Sequence, residues 1–202
     1  MIKDNIKIQR ALFLVAILFC NASLYAEDKN GNFAVKGAGS ISCESYIAIK
    51  EKRSRDYYVF VGWLEGYLTA ANQHKKETYD LSPWQSPELL MMALSRHCLK
   101  TPKKGFITAV NDMIKALEQE KLEQASEIVA MTSEGKQTFV YKSILKKIQR
   151  RLSAQTFFKG AIDGTYTPLL RDAIKAYQKK KNIMPTGLPD QITLFHLFKK
   201  NN

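Results

Sequence analysis

The sequence predicts an all-α fold: an N-terminal helical domain tied by a disulfide, followed by a C-terminal three-helix bundle. Three observations carry this expectation. Apolar residues recur at spacings of three and four along most of the chain, strand-like alternation is hard to find, and Gly and Pro number only 10 and 6 in 202 residues. An abrupt change of charge then separates the last third of the chain from the rest.

Lys3, Lys7 and Arg10 precede an unbroken apolar run from Ala11 to Cys20, which ends before the small residues Asn21, Ala22 and Ser23. This is the three-part layout of a secretory leader, and about ten apolar residues are too few to cross a bilayer. Residues 1–26 are therefore read as a signal peptide cleaved after Ala26, with Ala22 as the alternative site. An uncleaved anchor and a lipid attachment at Cys20 are the competing readings, the latter disfavoured by Phe19. No stable membrane span is expected once the leader is removed. Residues 27–42 contain three Gly and little periodicity, so they read as a flexible lead-in.

A helical domain is expected over 43–130. Phe60, Trp63, Leu64, Tyr67, Leu68 and Ala71 fall on one helical face. Ser86-Pro87 and Thr101-Pro102 each place a capping side chain before a proline at the first helical position, which predicts two helix starts. The first of these helices ends near Cys98, and the second carries Phe106, Val110, Met113, Ile114 and Leu117 as its stripe. Cys43 and Cys98 are the cysteines left after processing. In an oxidising compartment such a pair forms a disulfide. A reactive Cys98 with His97 as its base is the competing reading, but adjacent residues on a helix point about 100° apart.

Thr132-Ser133-Glu134-Gly135 reads as part of a linker spanning 131–142, and 143–202 as a separate domain. There Ser143 is expected to cap a helix lined by Ile144, Leu145, Ile148 and Leu152. Asp163-Gly164 supplies a turn, and Thr167-Pro168 opens a second helix through Leu170, Ala173, Ile174 and Tyr177 that stops near Asn182. A third helix is expected from Pro189-Asp190, buried through Ile192, Phe195 and Leu197 or Phe198.

The charge follows this division. The leader carries three bases and one acid, residues 27–141 carry fifteen of each, and residues 142–202 carry thirteen bases against three acids. Such asymmetry points to an anionic partner. For an exported chain, wall polymers, lipid headgroups and lipopolysaccharide fit that description, and no nucleic-acid partner is expected.

The residues of the last third resemble a known family. Gly160-Ala161-Ile162-Asp163-Gly164, then Ala173-Ile174-Lys175-Ala176-Tyr177-Gln178, then Thr186-Gly187 through Thr193-Leu194 follow in order the turn, helix and ending of the type 1 peptidoglycan-binding domain. A leucine-bearing first helix, Ile148 to Leu152, precedes them. The resemblance covers about fifty residues. Two departures stand out: Tyr166-Thr167-Pro168 replaces the usual Phe-Gly before the second-helix cap, with Leu170 where a Thr is common, and the second loop lacks a repeated Asp-Gly. The resemblance implies recognition of the peptide stem of peptidoglycan without bond cleavage, by an exported protein that is periplasmic or secreted and associated with the cell wall. Phe158, Lys159, Tyr166, Leu170 and Arg171 flank the first loop and the start of the second helix, and are the expected contact residues. Residues 43–130 resemble, on the order Cys43, Gly62-Trp63, Gly66-Tyr67, Cys98, Pro102, small disulfide-bonded periplasmic helical proteins such as immunity proteins of the Rap1a/Tai type. No function is transferred from that likeness, although another envelope protein is a conceivable partner for this domain.

No catalytic residue, cofactor or metal is expected. His74, His97 and His196 lack ligand spacing, and neither a phosphate-binding glycine loop nor a serine nucleophile motif occurs. Glu65 is the one candidate acid, without a recognisable second carboxylate. The alternatives to a non-catalytic wall-binding protein are a wall hydrolase with a divergent N-terminal catalytic domain and a wall-anchored inhibitor or immunity-type protein.

Overall fold

In the computed structural model, residues 28–52 and 55–199 are described. The leader and its cleavage sites lie outside the described residues. Two units separate, Met1–Val35 and Lys36–Asn202. In the first, the Asp28 carboxylate accepts the Asn30 and Asn32 amides at 2.8 Å each, closing a turn at Gly31.

Among the described residues the second unit contains a short 3-10 helix (Gly37–Ser40), seven α-helices and one hairpin: α1 (Cys43–Glu51), α2 (Asp56–His74), α3 (Pro87–Lys100), α4 (Phe106–Leu117), β1 (Ile128–Ser133), β2 (Lys136–Tyr141), α5 (Lys142–Ala154), α6 (Pro168–Lys180) and α7 (Gln191–Phe198). The fold is thus mostly helical rather than all-α. The hairpin occupies most of the stretch expected to be a linker. Ile128 pairs with Tyr141 and Ser133 with Lys136 in antiparallel register. The two-residue turn between them is Glu134-Gly135, with φ of 51° and 72°. Two consecutive positive φ values match the right-handed twist of the flanking strands. Alternation is present once the turn is placed, since Met131, Ser133 and Val140 point inward while their neighbours are exposed or half-buried.

Two hydrophobic cores lie within this unit. The first collects Tyr46, Phe60, Leu64, Leu68, Leu90, Met91, Leu94, Phe106, Val110 and Ile114 from α1 to α4. Phe60, Leu64 and Leu68 form the buried stripe of α2, as their spacing predicts. The rings of Tyr46, Phe60 and Phe106 meet at 4.7–5.3 Å between centroids. Burial pushes the Tyr46 phenol up to about 12. Its hydroxyl pairs with Ser95 Oγ at 2.9 Å, and Lys50 Nζ donates to the same oxygen at 2.7 Å, so the polar atom inside the core is satisfied. Cys43 and Cys98, both fully buried, form the disulfide. That bond uses the thiol which the reactive-cysteine reading required.

Several boundaries move from their expected places. Lys36–Ser42 is built into the fold rather than being a loose lead-in: Trp63 Nε1 donates to the Lys36 carbonyl at 2.8 Å, and the Phe106 amide donates to the Ile41 carbonyl at 2.8 Å. Thr101-Pro102 does not start a helix. Thr101 Oγ1 donates to the His97 carbonyl at 3.0 Å and closes α3, while α4 begins at Phe106 behind Gly105. Ser86 does cap α3, accepting the Leu89 amide at 3.3 Å.

The second core joins Leu122, Met131 and Val140 to Ile144, Leu145, Ile148 and Leu152 of α5, Leu170, Ile174 and Tyr177 of α6, and Leu194, Leu197 and Phe198 of α7. All three helices contribute to this core, and the hairpin shares it. Ser143 is inside α5 rather than at its cap, and its amide donates to Ser126 Oγ at 3.1 Å. On α7 the buried face is Thr193, Leu194, Leu197 and Phe198, one step round from the expected one, and Ile192 is 60% exposed.

The disulfide closes a loop with a sequence separation of 55. Replacing both cysteines (Cys43→Ala with Cys98→Ala) is expected to lower the unfolding free energy by about 4 kcal/mol, through the freer unfolded chain. Urea unfolding of the two proteins measures it, and an unchanged midpoint would contradict it.

Candidate functional site

The site is built on two loops, each closed by a glutamine. Along α5, Leu145, Ile148, Gln149 and Leu152 follow helical spacing, so the stripe entering the core contains one amide side chain. Along α6, Leu170, Ile174, Tyr177 and Gln178 do the same. Gln149 is 1% exposed and Gln178 fully buried. A buried primary amide must spend one acceptor and two donors internally.

Both spend them on the loop that follows their helix. Gln149 Oε1 accepts the Gly164 amide at 2.8 Å, and its Nε2 donates to Asp163 Oδ1 at 3.1 Å and the Thr165 carbonyl at 3.2 Å. Gln178 Oε1 accepts the Gly187 amide at 2.8 Å, and its Nε2 donates to Thr186 Oγ1, the Leu188 carbonyl and Thr193 Oγ1 at 2.9–3.0 Å. The glycines have φ of 77° and 74°. A side chain at either would be strained by the backbone and would also collide, at Gly164 with the Lys142 carbonyl 2.8 Å away and at Gly187 with Arg171 Cγ at 2.7 Å. Each loop then leads into a capped helix. Thr167 Oγ1 accepts the Leu170 amide at 3.2 Å, and Asp190 Oδ1 accepts the Thr193 amide at 2.8 Å. The second half of the module thus repeats the device of the first: helix, buried glutamine, left-handed glycine, cap, helix.

The loops are tied to each other and to the hairpin. Tyr166 Oη donates to the Gly187 carbonyl at 2.9 Å, and Ser133 Oγ donates to the Thr186 carbonyl at 2.7 Å. At the hairpin turn, Glu134 pairs with Lys175 of α6. Burial raises the Tyr166 phenol, so it stays a neutral donor. The Thr165 amide, then Gln149, hold the Asp163 carboxyl below the usual range, and Lys175 does the same for Glu134.

Of the five residues expected to contact ligand, the structure brings Tyr166 and Arg171 together beside Gly187. Arg171 Nε donates to Asp172 Oδ1 at 3.0 Å, and its aliphatic stem covers Gly187. Lys159 is exposed at the far end of the first loop. Phe158, 4% exposed, and Leu170, fully buried, are core residues, and their side chains support the loop instead of facing solvent. Gln149, Gln178, Ser133 and Glu134 were not singled out by the sequence. The available signal was a polar residue inside each apolar stripe.

On the other side of the second loop a groove of about 570 Å³ runs against the hairpin. Its lining includes Lys136, Lys181 and His196 together with the exposed apolar side chains of Met184 and Ile192. Among the described residues, no group of three or more His, Cys, Asp or Glu could hold a metal ion. Glu65 is exposed on α2, at the edge of a small hollow with Asn72 and Gln85. No helix among the described residues is long and apolar enough to cross a membrane.

Residues 142–197 match the family described as "Putative peptidoglycan binding domain". These bounds run from the first residue of α5 to within one residue of the end of α7, and so take in both glutamine-closed loops. No curated protein matches the chain. No solved structure matches it either.

Gln178→Leu keeps the volume but strands the Gly187 amide and the Leu188 carbonyl. It is expected to cost about 2–4 kcal/mol in urea unfolding and to speed hydrogen exchange at Gly187. A cost under about 0.5 kcal/mol would contradict the role given to this side chain. Asp163 supplies a pH test. Its folded value is depressed below the ordinary 3.8, so its contribution is full above that value and is lost as pH falls through the folded one. The stability gap between wild type and Asp163→Ala, followed by denaturant midpoints, should therefore be constant near neutrality and shrink below about pH 4.

Proposed function

We propose that this chain is an exported, non-catalytic protein that binds peptidoglycan through residues 143–202 and anchors its helical N-terminal domain, 43–130, at the cell wall. The observation that carries this reading is the coincidence of the wall-binding match with a folded module whose two loops are locked from inside. A binding loop that is already ordered loses little entropy on meeting its ligand. The leader over residues 1–26, removed after Ala26, places the mature chain of about 176 residues in the periplasm or outside the cell.

The contact surface is the face where the loops meet. Tyr166 and Arg171 form its centre, Lys159 its edge, and Phe158 and Leu170 hold it from beneath. Peptidoglycan stems carry carboxylates, which Arg171 and Lys159 can pair with, while the excess of bases in this third of the chain draws the polymer in. Another envelope protein is the class of partner open to the N-terminal domain.

Sedimentation with purified sacculi tests this. The full mature chain is expected in the pellet, and Lys159→Gln with Arg171→Gln should reduce the bound fraction several-fold while leaving the thermal midpoint unchanged. No soluble muropeptides should be released over the incubation. A chain that stays in the supernatant contradicts the binding claim, and muropeptide release abolished by Glu65→Gln contradicts the non-catalytic one.

A further inference from the structure

α5 has a second face. Lys147, Arg150, Arg151 and Ala154 follow one another at helical spacing, so they form one stripe along the helix. All four line a cleft of about 450 Å³, whose other walls are Trp84, Glu120 and Phe198. Trp84 and Glu120 belong to the segments flanking α3 and α4, so the cleft lies where the N-terminal helices meet the C-terminal module. It shares no residue with the loop face around Tyr166 and Arg171.

The aromatic wall is fixed. Trp84 Nε1 donates to Glu120 Oε2 at 3.1 Å, and the indole packs on Phe198 with centroids 5.3 Å apart. The cationic wall is open to solvent at Arg150 and Arg151. Among the described residues, no carboxylate pairs with Lys147, Arg150 or Arg151. Lys147 and Arg151 are moreover like charges four residues apart on a helix, an arrangement that repels. Stability gives no reason to gather these three cations opposite a tryptophan.

We propose that this cleft is a binding site for an anionic saccharide, a sugar ring carrying a carboxylate or phosphate. The guanidinium groups of Arg150 and Arg151 suit a planar or tetrahedral oxyanion, and Lys147 adds a point charge. The Trp84 indole offers an apolar surface for the C–H face of the ring. Glu120, one of whose oxygens holds the indole, presents the other as an acceptor for a hydroxyl. A sugar acid can turn hydroxyls towards that carboxylate and its acidic group towards the cations on the opposite wall. The site extends the chain's chemistry beyond recognition of a peptide stem, and it does not depend on that recognition.

Tryptophan fluorescence of the full mature chain, titrated with tetragalacturonate, tests the proposal. Saturable quenching is expected. It should vanish in Trp84→Phe, since the remaining tryptophan, Trp63, is stacked on Tyr67 and bonded to the Lys36 carbonyl away from the cleft. Arg150→Gln with Arg151→Gln should weaken binding by about tenfold or more, and Lys147→Gln alone should repeat the loss in smaller measure should the double variant unfold. An equal response to neutral N-acetylglucosamine tetramer overturns the proposal. So does inorganic phosphate displacing the sugar acid at equal concentration, or tighter binding of a short oligothymidylate. Because the probe is soluble, failure of the chain to sediment with sacculi leaves this result standing, and the reverse also holds.

Discussion

Two buried glutamine side chains govern the C-terminal module. The loops after α5 and α6 each turn through a glycine in the left-handed region, where no repeating backbone pattern can satisfy the amides and carbonyls. Gln149 and Gln178 supply those partners from within the core, one acceptor to the glycine amide and donors to the groups beside it. An unmet polar atom in such a place costs on the order of 1–3 kcal/mol. Position follows from this: once Gly164 and Gly187 are fixed, Thr167 and Asp190 stand at the helix starts they cap, and Tyr166 reaches the second loop. The proposed binding face is a consequence of the interior.

The hairpin explains why the two helical halves do not behave as beads on a string. Met131 and Val140 complete the module's core, Ser133 and Glu134 hold its second loop and second helix, and Leu122 bridges back to Asp80 on the N-terminal side. Lys36–Asn202 is accordingly one compact unit with two cores. The cationic cleft between Trp84 and α5 exists only because of this arrangement.

Much of this was legible in the residues. Thr167-Pro168, Asp163-Gly164 and the run from Ala173 to Gln178 announce local chemistry whose outcome depends on few neighbours, and they fold as read. The hairpin is hard to read because IVAMTS and KQTFVY follow a charged, non-helical stretch, and Glu134-Gly135 has the composition of a flexible joint although its two positive φ values make it a tight turn. Thr101-Pro102 has the form of a helix start, yet the Pro102 and Lys104 carbonyls accept the Glu44 and Cys43 amides while the Phe106 amide donates to the Ile41 carbonyl, and that tertiary pairing delays α4. The burial of Leu170 follows from its place on the apolar stripe of α6, whereas Phe158 lies in a loop without periodicity and Ile192 on a helix of eight residues, which admits two neighbouring faces. Gln178 belongs to the motif that carries the family resemblance, but the partners of Gln149 and Gln178 lie 15 and 9 residues away, across loops whose shape these side chains determine.

The proposed wall contact requires a loop face that is formed before the ligand arrives. Amide chemical shifts of the mature chain, followed while a soluble muropeptide is added, test it most directly. Residues of the first loop, Gly160 to Tyr166, and of the second, Thr186 to Leu188, should shift together and saturate along one isotherm, with the N-terminal helices silent. Shifts confined to α1–α4, or none at concentrations that saturate wall binding, would contradict it.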